Sequence, residues 1–297
     1  MGPYVDLRVH QTGGYVQDQA RFGPLVFTAS GRYDEVTTHN LLAGTTVHDD
    51  KFTYRVGANY VLDSGFAPYI SYATSFQPVA GVDARGKAFV PSTGRQVEGG
   101  VKYDGRTLDD TVHLFTTLAA FDIVQTNVVT PSNDPANPVG SLQTGEVEVK
   151  GVELEGVARI NEQLSLNGSY TYTYSEVTKS NGPDLGGPLP TTPRHKLSLF
   201  ADYTLQQGPA AGLGAGAGVR YVTGSAGAQL GAFVSTVYYT EATTLFDAIV
   251  HYDTPDWRVA VNASNLFDRT YVGRCASATN CIFGQGRQVI ASLTRKF

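Results

Sequence analysis

Glu153 and Glu155 stand two residues apart, a spacing that puts both carboxyls on one face of an extended strand. Paired carboxylates are the equipment of general acid–base chemistry, but the same pair on a solvated wall is only lining charge, and that is the preferred reading. His195 and His251 lie near Arg194 and Asp247 with no Ser or Cys nucleophile in reach by spacing, so no triad is expected. Asn133-Asp134 lacks the regularly spaced oxygen ligands of a calcium loop. Gly212 to Gly218 alternates glycine with small apolar residues, yet has neither the Lys nor the following helix of a phosphate loop, and reads as a strand with one bare side. Cys275 and Cys281 can close a small ring as a disulfide in an oxidising compartment. The alternatives are two reduced surface thiols or a metal pair lacking further ligands. No enzyme, resident cofactor or metal site is expected.

What must position these groups is β-structure. The chain has 297 residues with 33 Gly and 17 Tyr against one Met and one Trp, a profile of strands and tight turns. A formal charge of −5 without basic clusters argues against a nucleic-acid partner. No apolar run is long enough for a transmembrane helix, and the start lacks the features of a signal peptide. Trp257, Val259, Val261 and Ala263 alternate with Arg258, Ala260, Asn262 and Ser264. Val289, Ala291, Leu293 and Phe297 alternate likewise with Gln288, Ser292, Thr294 and Lys296. Leu164, Leu166, Tyr170, Tyr172 and Tyr174 oppose Ser165, Asn167, Thr171 and Thr173 in the same way. Period-2 alternation means strands with one apolar face.

About thirteen such strands can be traced, many near the length that crosses a bilayer at a tilt. Short turns at Gly23, Asp63, Gly105, Asn161, Gly208 and Pro255 alternate strictly with long connections. A soluble sandwich has no reason to collect its long loops at one end, whereas an outer-membrane barrel does. The apolar faces therefore point to lipid, the polar faces line a lumen, and Tyr170, Tyr172 and Tyr174 sit in the outer aromatic girdle. Glu153 and Glu155 become lumen charge. Thirteen is odd, and a closed bacterial barrel is even. A further strand within Tyr4 to Val9 would make fourteen; the preferred reading is the C-terminal portion of a larger barrel.

The ordered motifs resemble the C-terminal barrel of TonB-dependent outer-membrane siderophore receptors. They include Tyr15-Val16-Gln17-Asp18, Gly31-Arg32-Tyr33-Asp34, Ser71 to Pro78, Gly94 to Tyr103, Gly151 to Glu155, Pro190 to His195 and Asn262 to Tyr271. The Cys275/Cys281 pair ahead of Phe283-Gly284 and Arg287-Gln288-Val289 is most similar to ferrichrome-type hydroxamate receptors. Ala276, where that subfamily carries an aromatic, and Arg295 on an apolar face are departures. The resemblance implies an all-β antiparallel transmembrane barrel over residues 1–297, a segment of one with roughly 22 strands. The family's plug is not expected within this chain. Gly214, Gly216 and Gly218 would then leave room for a plug packed inside. The resemblance further implies a multi-pass protein of the Gram-negative outer membrane that imports a ferric siderophore, hydroxamate type favoured. Its partners would be lipid and, through the plug, the TonB energy-coupling complex, with iron entering only inside the chelate. Loop aromatics Phe89, Phe233, Tyr238, Tyr239 and Phe283 are the ligand-contact candidates, since aromatic faces suit the apolar parts of a chelate. A passive porin-like channel and a truncated, non-functional receptor fragment are the competing readings.

Overall fold

The computed structural model describes residues 6–42, 44–105, 111–132, 140–161, 163–227, 238–277 and 280–296. Thirteen strands form one antiparallel meander, each hydrogen-bonded to its sequence neighbours. They are β1 (Leu7–Phe22), β2 (Leu25–Asn40), β3 (Thr45–Tyr60), β4 (Phe66–Gln77), β5 (Ser92–Asp104), β6 (Val112–Pro131), β7 (Ser141–Ile160), β8 (Leu164–Lys179), β9 (His195–Thr204), β10 (Leu213–Val222), β11 (Thr243–Asp253), β12 (Trp257–Ser264) and β15 (Gln288–Arg295). Between the last two, β13 (Val272–Ser277) and β14 (Asn280–Phe283) make a separate hairpin. That hairpin corrects the sequence reading of a plain loop around the cysteines. Leu7 to Val9 belong to β1 itself, so among the described residues the sheet has thirteen strands. Met1 to Val5 lie outside the described residues, as do Phe233, the Asn133-Asp134 pair and Phe297.

Register fixes which residues share a face, because cross-strand partners project to the same side. Ile160, Leu164, Tyr203, Ala215, Val250 and Val261 are successive partners across β7 to β12 with Leu213–Tyr252 beside them, all on the apolar face. Glu153, Thr171 and Lys196 are successive partners on the other. The parity read for β8 holds. From Leu164 to Tyr174 the strand advances at about 3.3 Å per residue, which at a tilt covers the roughly 25 Å apolar band of an outer-membrane barrel. Aromatics border the band at both ends. Tyr54 and Tyr72 lie 5.7 Å apart at one, and Phe66 and Tyr103 lie 4.6 Å apart at the other. Arg295 belongs to this second border, with its guanidinium 5.5 Å from the Trp257 ring centre, where a long cationic side chain can reach the interface.

The strands outrun the band at the long-loop end. β2 and β3 continue to Asn40 and from Thr45, so their connection is short, which corrects the expected strict alternation of short turns with long connections. Threonines and histidines hold this extension together. Thr37 Oγ1 lies 2.9 Å from His48 Nδ1, and His39 Nδ1 lies 2.9 Å from Thr46 Oγ1. β-Branched and ring side chains continue a ladder beyond the apolar register, so polarity alone does not mark its end. Buried side chains such as Val147, Val177, Ser175, Thr130, Leu245 and Thr243 sit here on the polar face, under the loops.

Candidate functional site

At the short-turn end the polar face carries a charge network. His251, 3% exposed, places Nδ1 2.8 Å from Asp253 Oδ2 and Nε2 3.1 Å from Asp202 Oδ2. Arg258 donates to Asp253 at 2.8 Å and Lys296 at 3.3 Å. His251 thus engages Asp202 and Asp253 rather than Asp247, which instead accepts two hydrogen bonds from Arg220 at 2.6 and 2.7 Å. The glycine column of β10 explains how so large a ring fits. A side chain at Gly214 would collide with the His251 imidazole, one at Gly216 would meet Asp202 Oδ1 at 2.8 Å, and one at Gly218 would strike the Phe200 ring. The space beside these glycines is therefore filled by the chain's own His251, Asp202 and Phe200, which corrects the expectation of room for a plug. With a carboxylate on each imidazole nitrogen, this cluster braces β9, β11 and β12 together with Lys296 just beyond β15. His195 sits on the opposite face in the girdle, its Nδ1 2.9 Å from the Tyr170 hydroxyl.

At the other end the loops fold onto the wall and one another. Val90 N–H donates to Gln143 Oε1 at 2.8 Å and Ala84 N–H to the Ser141 carbonyl at 2.8 Å, which ties the β4–β5 loop to β7. The β8–β9 loop turns back over β8, with Leu189 N–H donating to Ser175 Oγ at 3.1 Å, and Thr191 N–H then reaches the Ala226 carbonyl at 2.8 Å. Asn265, left-handed at φ 49°, locks the start of the β12–β15 connection. Its side-chain amide donates to the carbonyls of Arg269 and Gln285, and its oxygen accepts the Arg269 N–H. The NASNLFDRTY stretch is thus a knot that fixes where the cysteine hairpin emerges. Within that hairpin Cys275 and Cys281 are cross-strand partners joined by a disulfide, with Cys275 buried.

Three of the aromatic ligand candidates belong to this end and gather on adjoining loops. Tyr239 bridges to Ala226, and the Tyr238 carbonyl accepts the Gly227 N–H at 2.7 Å. Gly227 in turn abuts Cys275, with only 3.5 Å between its would-be Cβ and the Cys275 carbonyl oxygen. Phe283 is the β14 partner of Val272 and is 70% exposed. Phe89 is placed differently. It is 8% exposed and packs under Gly81 in the β4–β5 loop, where it props the loop rather than presenting a face. Lys196, Arg220 and Arg274 also converge beside the hairpin. Sequence reasoning passed over these cations because they come from three distant segments, and only the register of β9, β10 and β13 joins them.

Comparison with known proteins fits this architecture. Residues 2–266 match the family model described as "TonB dependent receptor-like, beta-barrel". The chain is 39% identical to the ferrichrome outer membrane transporter/phage receptor of Escherichia coli K12, over 100% of this chain and 39% of that protein. It is 33% identical to the ferrioxamine B receptor of Salmonella typhimurium, over 98% of this chain and 41% of that one. The chain therefore spans about two-fifths of the length of these curated relatives. Among solved structures it superposes on the siderophore receptor PiuA from Acinetobacter baumannii with a TM-score of 0.81 at 24% identity, over 98% of this chain and 44% of that one. The pyoverdine outer membrane receptor FpvA from Pseudomonas aeruginosa PAO1 gives 0.81 at 25%, over 99% and 43%. An all-β wall with an apolar outer face, a polar inner face and a whole-chain match of this kind has one assignment: the chain belongs to the β-barrel of the TonB-dependent receptors of the outer membrane.

Proposed function

We propose that this chain forms part of the barrel wall of an outer-membrane receptor that imports a ferric siderophore of hydroxamate type, with iron as cargo inside the chelate. The observation that carries this is the 39% identity over the whole chain to a protein named for ferrichrome transport, supported by the 33% match to a ferrioxamine B receptor. Residues 1–297 serve as barrel throughout, and the plug that contacts the energy-coupling complex comes from elsewhere in the receptor. β1 and β15 are each hydrogen-bonded on one side only among the described residues. An unpaired backbone group in hydrocarbon costs several kcal/mol, so these edges call for further strands between them. Tyr238, Tyr239 and Phe283 offer aromatic surface to the chelate from the outer loops; Phe233 is their fourth candidate, and Phe89 supports the loop beside them.

The test uses a strain stripped of its own siderophore receptors. The receptor carrying this chain should restore growth on a ferric trihydroxamate, and deletion of the energy-coupling protein should abolish that growth. The chain expressed by itself should restore nothing. Growth that ignores the energy-coupling protein would indicate a passive channel, and growth supported by the isolated chain would overturn the need for completing strands.

A further inference from the structure

On the polar face at the outer end, a cavity of about 420 Å³ opens between the tops of β9, β10 and β11 and the cysteine hairpin. Its wall brings together Lys196 of β9, Arg220 of β10, Arg274 of β13, Glu241 and Tyr271. Arg220 is neutralised by its paired hydrogen bonds to Asp247. Lys196 and Arg274 have no carboxylate partner among the described residues. Two cations therefore face a single carboxylate, Glu241, in a pocket of the size that small ligands occupy. Tyr271 is held rigidly over Gly284, where any side chain would collide with its ring, and Gly284 N–H donates to the Tyr271 carbonyl at 2.8 Å. The rim is aromatic and open: Tyr239 directly precedes Thr240 in the wall, and Phe283 stands across the hairpin from Val272.

From this arrangement we propose that the cavity seats a carboxylate arm of the transported chelate. The inference rests on the uptake reading above and narrows it to ferric hydroxamates that carry a free acid. A guanidinium fork and an ammonium in one cavity wall suit an oxyanion, while exposed rings above suit the apolar body of the ligand. Arg274 is also carried on a hairpin that a disulfide closes, so its position is fixed before the ligand arrives.

The experiment measures binding of three ferric trihydroxamates by the receptor carrying this chain. They are alike except for a terminal carboxylate, a terminal ammonium or a neutral amide. The carboxylate form should bind about tenfold more tightly than the ammonium form at low salt, the scale of one ion pair in a part-solvated site, and the gap should close as ionic strength rises. Lys196→Gln combined with Arg274→Gln should erase the preference of the carboxylate form over the ammonium form. Equal binding of the three chelates by the unsubstituted receptor, or a preference for ammonium, overturns the inference while uptake itself stands. Failure to bind any of them overturns both. A variant that misassembles does not blunt the test, since the salt response of the parent decides it alone.

Discussion

Asn161 and Gln163 help reverse the chain between β7 and β8 in a turn whose left-handed residue, Asn161 at φ 48°, is of a type suited to that conformation. One hairpin further, the reversal between β8 and β9 runs from Ser180 to Arg194 and is held by Ser175, Ala226 and β8 itself. The periplasmic end of the wall is thus built from local conformation and close packing within the sheet. The outer end is built from contacts between segments far apart in sequence. Local geometry leaves little freedom, so the first end is a rigid frame. Loops held by a few hydrogen bonds can open at modest cost, which is what the proposed uptake of a chelate would need.

The largest effect should come from breaking the frame where it is tightest. Gly214→Leu drives a side chain into the His251 ring, which is already held by Asp202 and Asp253. Overpacking of this kind costs about 3 kcal/mol, and it would also separate the carboxylates from the buried His251 imidazole. The expected result is loss of folded, heat-modifiable barrel from the outer membrane. Gly99→Ala, whose Cβ would meet nothing closer than 3.8 Å, should be indistinguishable from the parent. If Gly214→Leu assembled normally, the frame would have the slack that the outer loops have.

Next is the turn. Asn161→Val forces a β-branched residue into left-handed conformation at a cost of about 1–2 kcal/mol, whereas Asn161→Gly should be nearly silent. Urea unfolding of the barrel in detergent reads the difference. Equal midpoints for the two variants would show that strand pairing, and not the turn, sets this end.

These two sites also show what could be read from residues alone. Turn positions such as Gly23 and Asn161 carry their conformation in their own type, and the two-residue alternation of β8 and β12 carries its facing, so the wall was legible. The site was legible only where chemistry lay within one segment, as with Cys275 and Cys281. Gly214 looked bare because its filling, His251, comes from the next strand and is assigned by register. Phe89 looked like a ligand contact because nothing local reveals that it folds beneath Gly81. Lys196 and Arg274 escaped notice for the same reason, since side-chain convergence across a sheet is a property of pairing.

On the outer side the disulfide tests how much order the hairpin needs. Replacing Cys275 and Cys281 by Ser removes a short ring, worth about 2 kcal/mol by chain entropy. The loss should fall on β13 and β14 alone: hydrogen exchange there should rise several-fold while the barrel's melting temperature stays put. A fall in melting temperature would place the hairpin inside the frame and erase the division between the two ends.

The smallest effect concerns a single loop carboxylate and depends on pH. Asp83 Oδ1 accepts N–H bonds from Lys87 at 2.9 Å and Arg85 at 2.8 Å, and its own N–H donates to the Lys87 carbonyl at 2.7 Å, so it pins the turn above Phe89. The Lys87 N–H, followed by that of Arg85, holds the Asp83 carboxyl below the usual carboxylate range, against the opposing pull of desolvation. A group with a lowered folded pKa stabilises the fold above its unfolded value and loses that contribution as pH falls through the folded one. The β4–β5 loop should therefore be fully pinned at neutral pH and loosen only under acid conditions, below the ordinary carboxylate range near pH 4. Protection factors for the Arg85 and Lys87 amides, corrected for intrinsic exchange, should drop across that window. In Asp83→Asn, where the side-chain oxygen still accepts but does not titrate, the drop should vanish. An identical acid response in parent and variant would assign the loosening to some other group, and the outer loops would then owe this part of their order to packing around Phe89.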